Sequence, residues 1–188
     1  MKTISSLFLK SRLKYDGTQL SSHFAYKNFN IPGNSVVAFI GPVEVNLSEM
    51  VDIEDVINGE AISSDLMLNF IIEIFDATLG ETICLQRLFS SIIQDELNTI
   101  AGRLCVNREG DDLFYDERKL SVSIATASPV STMIHTALNI VRSGAPIPVS
   151  CLEELDVDPV EFGNSILKRF VEEFEQIRFA RVKVNWVS

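Results

Sequence analysis

The stretch from Arg103 to Val141, RLCVNREGDDLFYDERKLSVSIATASPVSTMIHTALNIV, limits the possible folds of this chain more than any other. Its apolar residues recur at about every second position. Glu109-Gly110, Asp116-Glu117 and Ser128-Pro129 fall where tight turns belong. Strands joined by turns this short pair antiparallel. Helical patterns flank the run on both sides. Upstream, Leu85, Leu88, Phe89, Ile92, Leu97 and Ile100 form an apolar stripe that Gly102 closes. Downstream, Asp158 is placed to cap a helix opened by Pro159, with Phe162, Ile166, Phe170, Phe174 and Ile177 on its inner face. Consecutive strands segregated from helices predict an α+β fold, a mixed and largely antiparallel sheet packed by helices.

The N-terminal half reads as a strand over SSLFLKSRL, a turn at Asp16-Gly17, and a helix over TQLSSHFAYKNF with Thr18 as its cap. NIPGN breaks the pattern, and SVVAFIG follows as a buried strand. Leu66, Met67, Phe70, Ile71, Ile74 and Phe75 then recur at helical spacing. They predict a helix capped by Ser64 or Asp65 and ended by Gly80. No repeat or Gly/Ser-rich linker interrupts the 188 residues, so a single domain over 1–188 is expected.

Charge narrows the partners. Sixteen Lys and Arg against 26 Asp and Glu give a net charge of −10, a surface that repels nucleic acid and anionic membrane heads. The three cysteines, Cys84, Cys105 and Cys151, form no CxxC and predict reduced thiols in a cytoplasmic protein. No apolar run approaches a membrane span, and the first residues lack the apolar length of a signal peptide. Phosphate-loop, dinucleotide, zinc-peptidase and serine-hydrolase motifs are missing, and two histidines without a nearby acid or cysteine cluster predict no metal.

Candidate site residues come from strand alternation. Between Lys119 and Thr126, Lys119, Ser121, Ser123 and Ala125 are predicted on one face, with Leu120, Val122 and Ile124 on the other. In the next strand Met133, His135, Ala137 and Asn139 share a face. Pairing the two would assemble a lysine, two serines, a histidine and an asparagine on one shallow surface. A sheet with one wet face alternates in the same way. The small Ser, Ser and Ala, where solvent would favour Glu or Lys, argue instead for room left for a ligand or a covering helix. Arg118 beside Lys119, Asp112 at the preceding strand start, and Arg87 on an otherwise apolar helix stripe complete the candidate ligand set. A mid-strand histidine is more often a hydrogen-bonded core residue than a catalyst.

YDGTQLSSHFAYKNF, EMVDIEDV, LQRLFSSI and DERKLSVSIATASPVSTMIHTALNI together resemble the uncharacterised prokaryotic family known as domain of unknown function 366. From Asp111 to about Ile177 the order DDLF, DERKLSVSI, MIHTALNI also resembles the lipoate/biotin protein ligase and octanoyltransferase superfamily. That resemblance implies a class II synthetase-like or biotin/lipoate ligase-like fold, with Lys119 at the position of the catalytic lysine. The loop VRSGAPIPVS lacks the Pro-Cys of the octanoyltransferases, and Cys151 falls later, at a Ser-Cys-Leu turn. No Arg/Gly-rich adenylate loop is visible, so the sequence names no cofactor.

Two functions stay open. One is a small-molecule binding protein or transferase-like enzyme of acyl or nucleotide type, with Lys119 stabilising negative charge and Ser121, Ser123, His135 and Asn139 around it. The other is a non-catalytic relative serving as a protein-interaction or regulatory subunit. An exposed edge strand at residues 34–40 would add a route to a homodimer.

Overall fold

The apolar run at residues 66–75 is the centre of a sheet and not a helix. In this computed structural model, which describes residues 3–59 and 62–187, it belongs to a strand spanning Ile62–Ile74. Met67 and Ile71 pack on one face of that strand, and Leu68, Phe70 and Ile72 pack on the other. A strand buried on both sides is apolar almost throughout, so its residues also satisfy helical spacing. Neighbouring strands on both sides, which local pattern does not show, decide the case.

In chain order the elements are β1 (Ser5–Phe8), α1 (Phe24–Phe29), β2 (Ser35–Val45), α2 (Ile53–Asn58), β3 (Ile62–Ile74), α3 (Leu79–Ala101), β4 (Val106–Glu109), β5 (Asp112–Tyr115), β6 (Arg118–Lys119), β7 (Ser121–Ala127), β8 (Thr132–Asn139) and α4 (Pro159–Val182). Five strands form the main sheet in the order β1-β2-β3-β8-β7. Only β1 with β2 is parallel there. β4, β5 and β6 form a small antiparallel sheet of their own. The result is a mixed α+β fold with a mostly antiparallel sheet, as the strand run implied.

Other expectations shift at their edges. β1 stops at Phe8, but the chain keeps following β2, with Leu9, Leu13 and Tyr15 donating to Ala38, Ile40 and Pro42 carbonyls. Gly41 permits this, because a Cβ there would collide with the Leu13 carbonyl. α1 begins at Phe24, and Thr18 donates to Asp16 in a turn without capping a helix. Gly80 lies in the first turn of α3, which starts on a reciprocal Thr78–Glu81 cap and ends at left-handed Gly102. Residues 35–38 are paired on both sides, by β1 and β3, and the chain after β1 donates to Ile40, so this stretch is not an exposed sheet edge.

α3 and α4 cover one face of the sheet. Phe70, Phe89 and Phe170 meet edge to face at centroid distances of 5.2 and 5.0 Å. The opposite face gathers Phe24, Val37, Phe39, Val43, Met67 and Ala137, with Tyr15 laid against them. Among the described residues, no helix is long and apolar enough to cross a membrane.

Candidate ligand-binding site

Two tight turns deliver the candidate lysine. Gly110 takes a positive φ between β4 and β5, and Asp116 and Glu117 both sit at positive φ between β5 and β6. The second turn puts Arg118 and Lys119 opposite Tyr115 and Phe114. Leu120 then ties the small sheet to the large one. Its amide donates to Leu113, and its carbonyl accepts from the Asn139 amide and from Asn139 Nδ2 at 3.2 Å. Val149 bridges alongside Lys119, and the Ser150 amide donates to the Lys119 carbonyl at 3.0 Å.

These contacts leave a cavity of about 730 Å³ against the sheet face opposite α3 and α4. The β2–β3 connection borders it with Glu49, Met50 and Asp55, and the loop near Pro146 borders it on another side. Met67, His135 and Val122 belong to the sheet wall. Of the residues singled out from sequence, Lys119, Ser121, Ser123, His135, Asn139 and Asp112 all border this space. Arg118 and Arg87 do not.

The register alters how they meet. Ile124 lies opposite His135 and Val122 opposite Ala137, while Ser123 lies opposite Thr136. His135 therefore shares its face with Val122 and Ile124, not with the serines. The irregular step at Leu120, between two strands, shifts the alternation expected from Lys119 onward. Ser123 Oγ instead takes a 2.9 Å hydrogen bond from Gln86 on α3 and pairs with Thr136 Oγ1. Ser121 Oγ accepts from the Leu113 amide at 3.0 Å. The small residues make room for a covering helix, and because β7 is the sheet edge they still border the cavity.

Lys119 Nζ stands 3.0 Å from Asp112 Oδ2, about one-third exposed. Asp111, another wall residue, is gripped by Gln86 Nε2 at 2.6 Å and Arg87 Nη1 at 2.7 Å. Arg87 thus acts on the cavity only through Asp111. Arg118 donates to the Val149 carbonyl and to Glu154, which also accepts from Arg142 and the Cys151 amide. Arg142 above all, with Arg118, holds the Glu154 carboxyl down to about 2. The cluster clamps the loop that forms a cavity wall. Within it Cys151 is buried, its thiol donates toward Glu154 Oε2 at 3.5 Å, and burial pushes its pKa up.

His135 is buried, as the plainer reading of a mid-strand histidine held, and burial pushes its pKa down to about 3. Its Nε2 lies 3.0 Å from Asn69 Oδ1, and the Tyr15 ring stacks on it at 3.7 Å and 14°. Burial also keeps the Tyr15 phenol protonated. Tyr15, Asn69 and Met67 were missed as site residues. Tyr15 arrives by pairing with Val43, and Asn69 and Met67 lay in the misread run. His23 opens α1 near Phe75, and Gln19 accepts from the Asp16 amide, both away from the cavity. Among the described residues no three His, Cys, Asp or Glu side chains are grouped to hold a metal.

Residues 4–185 match the model of the domain of unknown function DUF366. The chain belongs to this family. An uncharacterized protein, MJ0805, of Methanocaldococcus jannaschii is 34% identical over 163 residues, covering 84% of this chain and 73% of that protein. A protein of unknown function from Pyrococcus horikoshi has the same fold at a TM-score of 0.92 and 41% identity, over 98% of this chain and 100% of that one. Biotin protein ligase from Aquifex aeolicus, in complex with biotin and ATP, superposes at 0.59 with 16% identity, over 92% of this chain and 71% of the ligase chain. P. falciparum LipL1 in complex with lipoate superposes at 0.62 with 12% identity, over 98% and 64%. The DUF366 chain therefore has a biotin/lipoate ligase-like fold. At these identities the likeness to the ligases is one of fold alone.

Proposed function

We propose that this DUF366 protein binds a small acyl-type molecule in the cavity against the sheet, with Lys119 as the cation for its carboxylate or carbonyl. One observation carries the reading. A space of about 730 Å³ has apolar Met67, Val122 and Ile124 on its sheet wall and a lysine about one-third exposed beside it. Its volume suits a small ligand. The biotin and lipoate complexes of the fold neighbours support the acyl class. The carboxylates of Asp111, Asp112 and Glu49 on the cavity wall repel the several phosphate charges of a nucleotide more than the single charge of an acid, which favours the acyl class.

The test is thermal unfolding of wild type and Lys119→Ala with octanoate, lipoate, biotin and ATP. A ligand at a hundred times its Kd stabilises by about 2.7 kcal/mol, a rise in Tm of roughly 5–11 °C for this size. An acyl ligand is expected to raise Tm in wild type and not in the variant. The unliganded variant should stay within about 1 kcal/mol of wild type, since a partly exposed ion pair contributes little. Equal shifts in both proteins would refute the role of Lys119.

The burial of Cys151 favours a second reading, a non-catalytic relative that keeps the pocket or its surface for regulation. No acyl-type shift in wild type would move the weight there.

A further inference from the structure

His135 offers the cavity one kind of hydrogen-bonding group. Asn69 Nδ2 is spent on the Met67 carbonyl at 3.1 Å, so its amide oxygen is the atom facing His135. That oxygen can only accept, so Nε2 of the imidazole donates to it. A neutral imidazole carries one ring proton, and Nδ1 is left as an acceptor. Burial keeps the ring neutral near physiological pH, so Nδ1 does not become a donor. The stacked Tyr15 ring and the Asn69 bond both hold the imidazole in place. No described residue donates to Nδ1, although the residue is only 4% exposed and borders the cavity.

Position sets which part of a ligand meets this group. The Leu120 carbonyl, next to Lys119, takes the Asn139 amide, and Asn139 stands four residues along β8 from His135, roughly 13 Å at the rise of a strand. The lysine and the imidazole thus serve opposite ends of a bound molecule. Around the imidazole the wall is apolar, with Met67, Val122, Ile124 and the Tyr15 ring. A plain hydrocarbon end would bury Nδ1 without a partner, which is costly in an apolar surround.

We propose that the ligand carries an uncharged hydrogen-bond donor, a hydroxyl or amide N–H, at the end remote from its carboxyl, and that His135 Nδ1 receives it. This rests on the acyl reading above and narrows it: the ligand is a head-functionalised acid and not a simple fatty acyl chain. His135 is then the residue that sets specificity, and Lys119 the one that holds the common carboxyl group.

The experiment measures Kd by calorimetry for octanoate, ω-hydroxyoctanoate and ω-methoxyoctanoate. The methoxy compound keeps an oxygen at the same place but has no proton to give, so the pair, read against octanoate, separates donation from the mere presence of an oxygen. Wild type is expected to bind the hydroxy acid on the order of 5- to 30-fold more tightly than the methoxy acid, the factor for one hydrogen bond's worth of binding. His135→Phe, which keeps a ring to stack on Tyr15, should abolish that preference and retain binding that depends on Lys119. Because the wild-type comparison needs no variant, it decides the matter even if His135→Phe folds poorly. Equal affinities, or a preference for the methoxy acid, would overturn the donor proposal and leave the acyl reading standing. No binding of any of the three acids would overturn both.

Discussion

The two faces of the five-stranded sheet are built on different terms. Toward α3 and α4 the face is apolar where it is deepest, with Phe70, Phe89, Ile134, Leu138 and Phe170 fully buried. Its few polar groups, such as Thr136 and Ser123, are paired to each other and to Gln86. The other face buries Asn69, His135 and Glu73 among its apolar residues and leaves a cavity over one half. Glu73 accepts from Ser131 Oγ and from the His23 amide, which fixes the start of α1. Buried polar groups forgo apolar packing and need partners, so a face that carries them is specified less by hydrophobic area than by hydrogen-bond geometry. The first face stabilises the fold, and the second, with its buried polar groups, holds the cavity.

The sharpest way to break that contrast is Phe89→Ala. Phe89 is fully buried between Phe70 and Phe170, so truncation should cost about 3–5 kcal/mol in chemical unfolding. A cost below about 1 kcal/mol would mean that the helices do not carry the stability.

Glu154→Gln probes the clamp beside the cavity and should cost on the order of 2 kcal/mol at neutral pH, after allowance for screening at exposed Arg142. The sign follows from the lowered carboxyl. Folded Glu154 titrates near 2 and an unfolded glutamate near 4.3, so protons favour the unfolded chain between those values. Its contribution is complete above the upper value and is lost as pH falls toward the lower. Urea unfolding from pH 6 to pH 3 should show that loss in wild type and a weaker one in the variant.

An effect of similar size belongs to His135. The unfolded imidazole takes a proton near 6.5 and the folded one only near 3, so the unfolded state again binds the extra proton. Stability from this group is full above about 6.5 and declines below it by at most about 1.4 kcal/mol per pH unit. His135→Phe should flatten the dependence between pH 6.5 and 5, where Glu154 does not yet titrate. An unchanged slope would show that the imidazole is protonated in the folded chain.

Much of the helical face was legible in the residues. The α3 stripe with its Gly102 stop, and Asp158-Pro159 at the start of α4, are local signals that the fold keeps. The turns at Gly110 and at Asp116-Glu117 were legible for the same reason, since a turn is decided by the few residues in it. The cavity face was legible only as a set of names. Lys119, Asp112, His135 and Asn139 do border one cavity, but the alternation rule placed the serines on the wrong side of β7. It assumed an unbroken strand through Leu120, and the chain instead leaves one sheet and joins another there.

By itself, then, the sequence determined the fold class, both long helices, the tight hairpin turns and six of the residues that border the cavity. Those features depend on residue type at short spacing. Tertiary structure alone decided that residues 62–74 are a central strand, that Tyr15 stacks on His135, and that Arg118 holds Glu154 and stands outside the cavity wall. Each of these depends on partners far along the chain, and short-range pattern carries no information about which distant residue supplies the pairing or the charge.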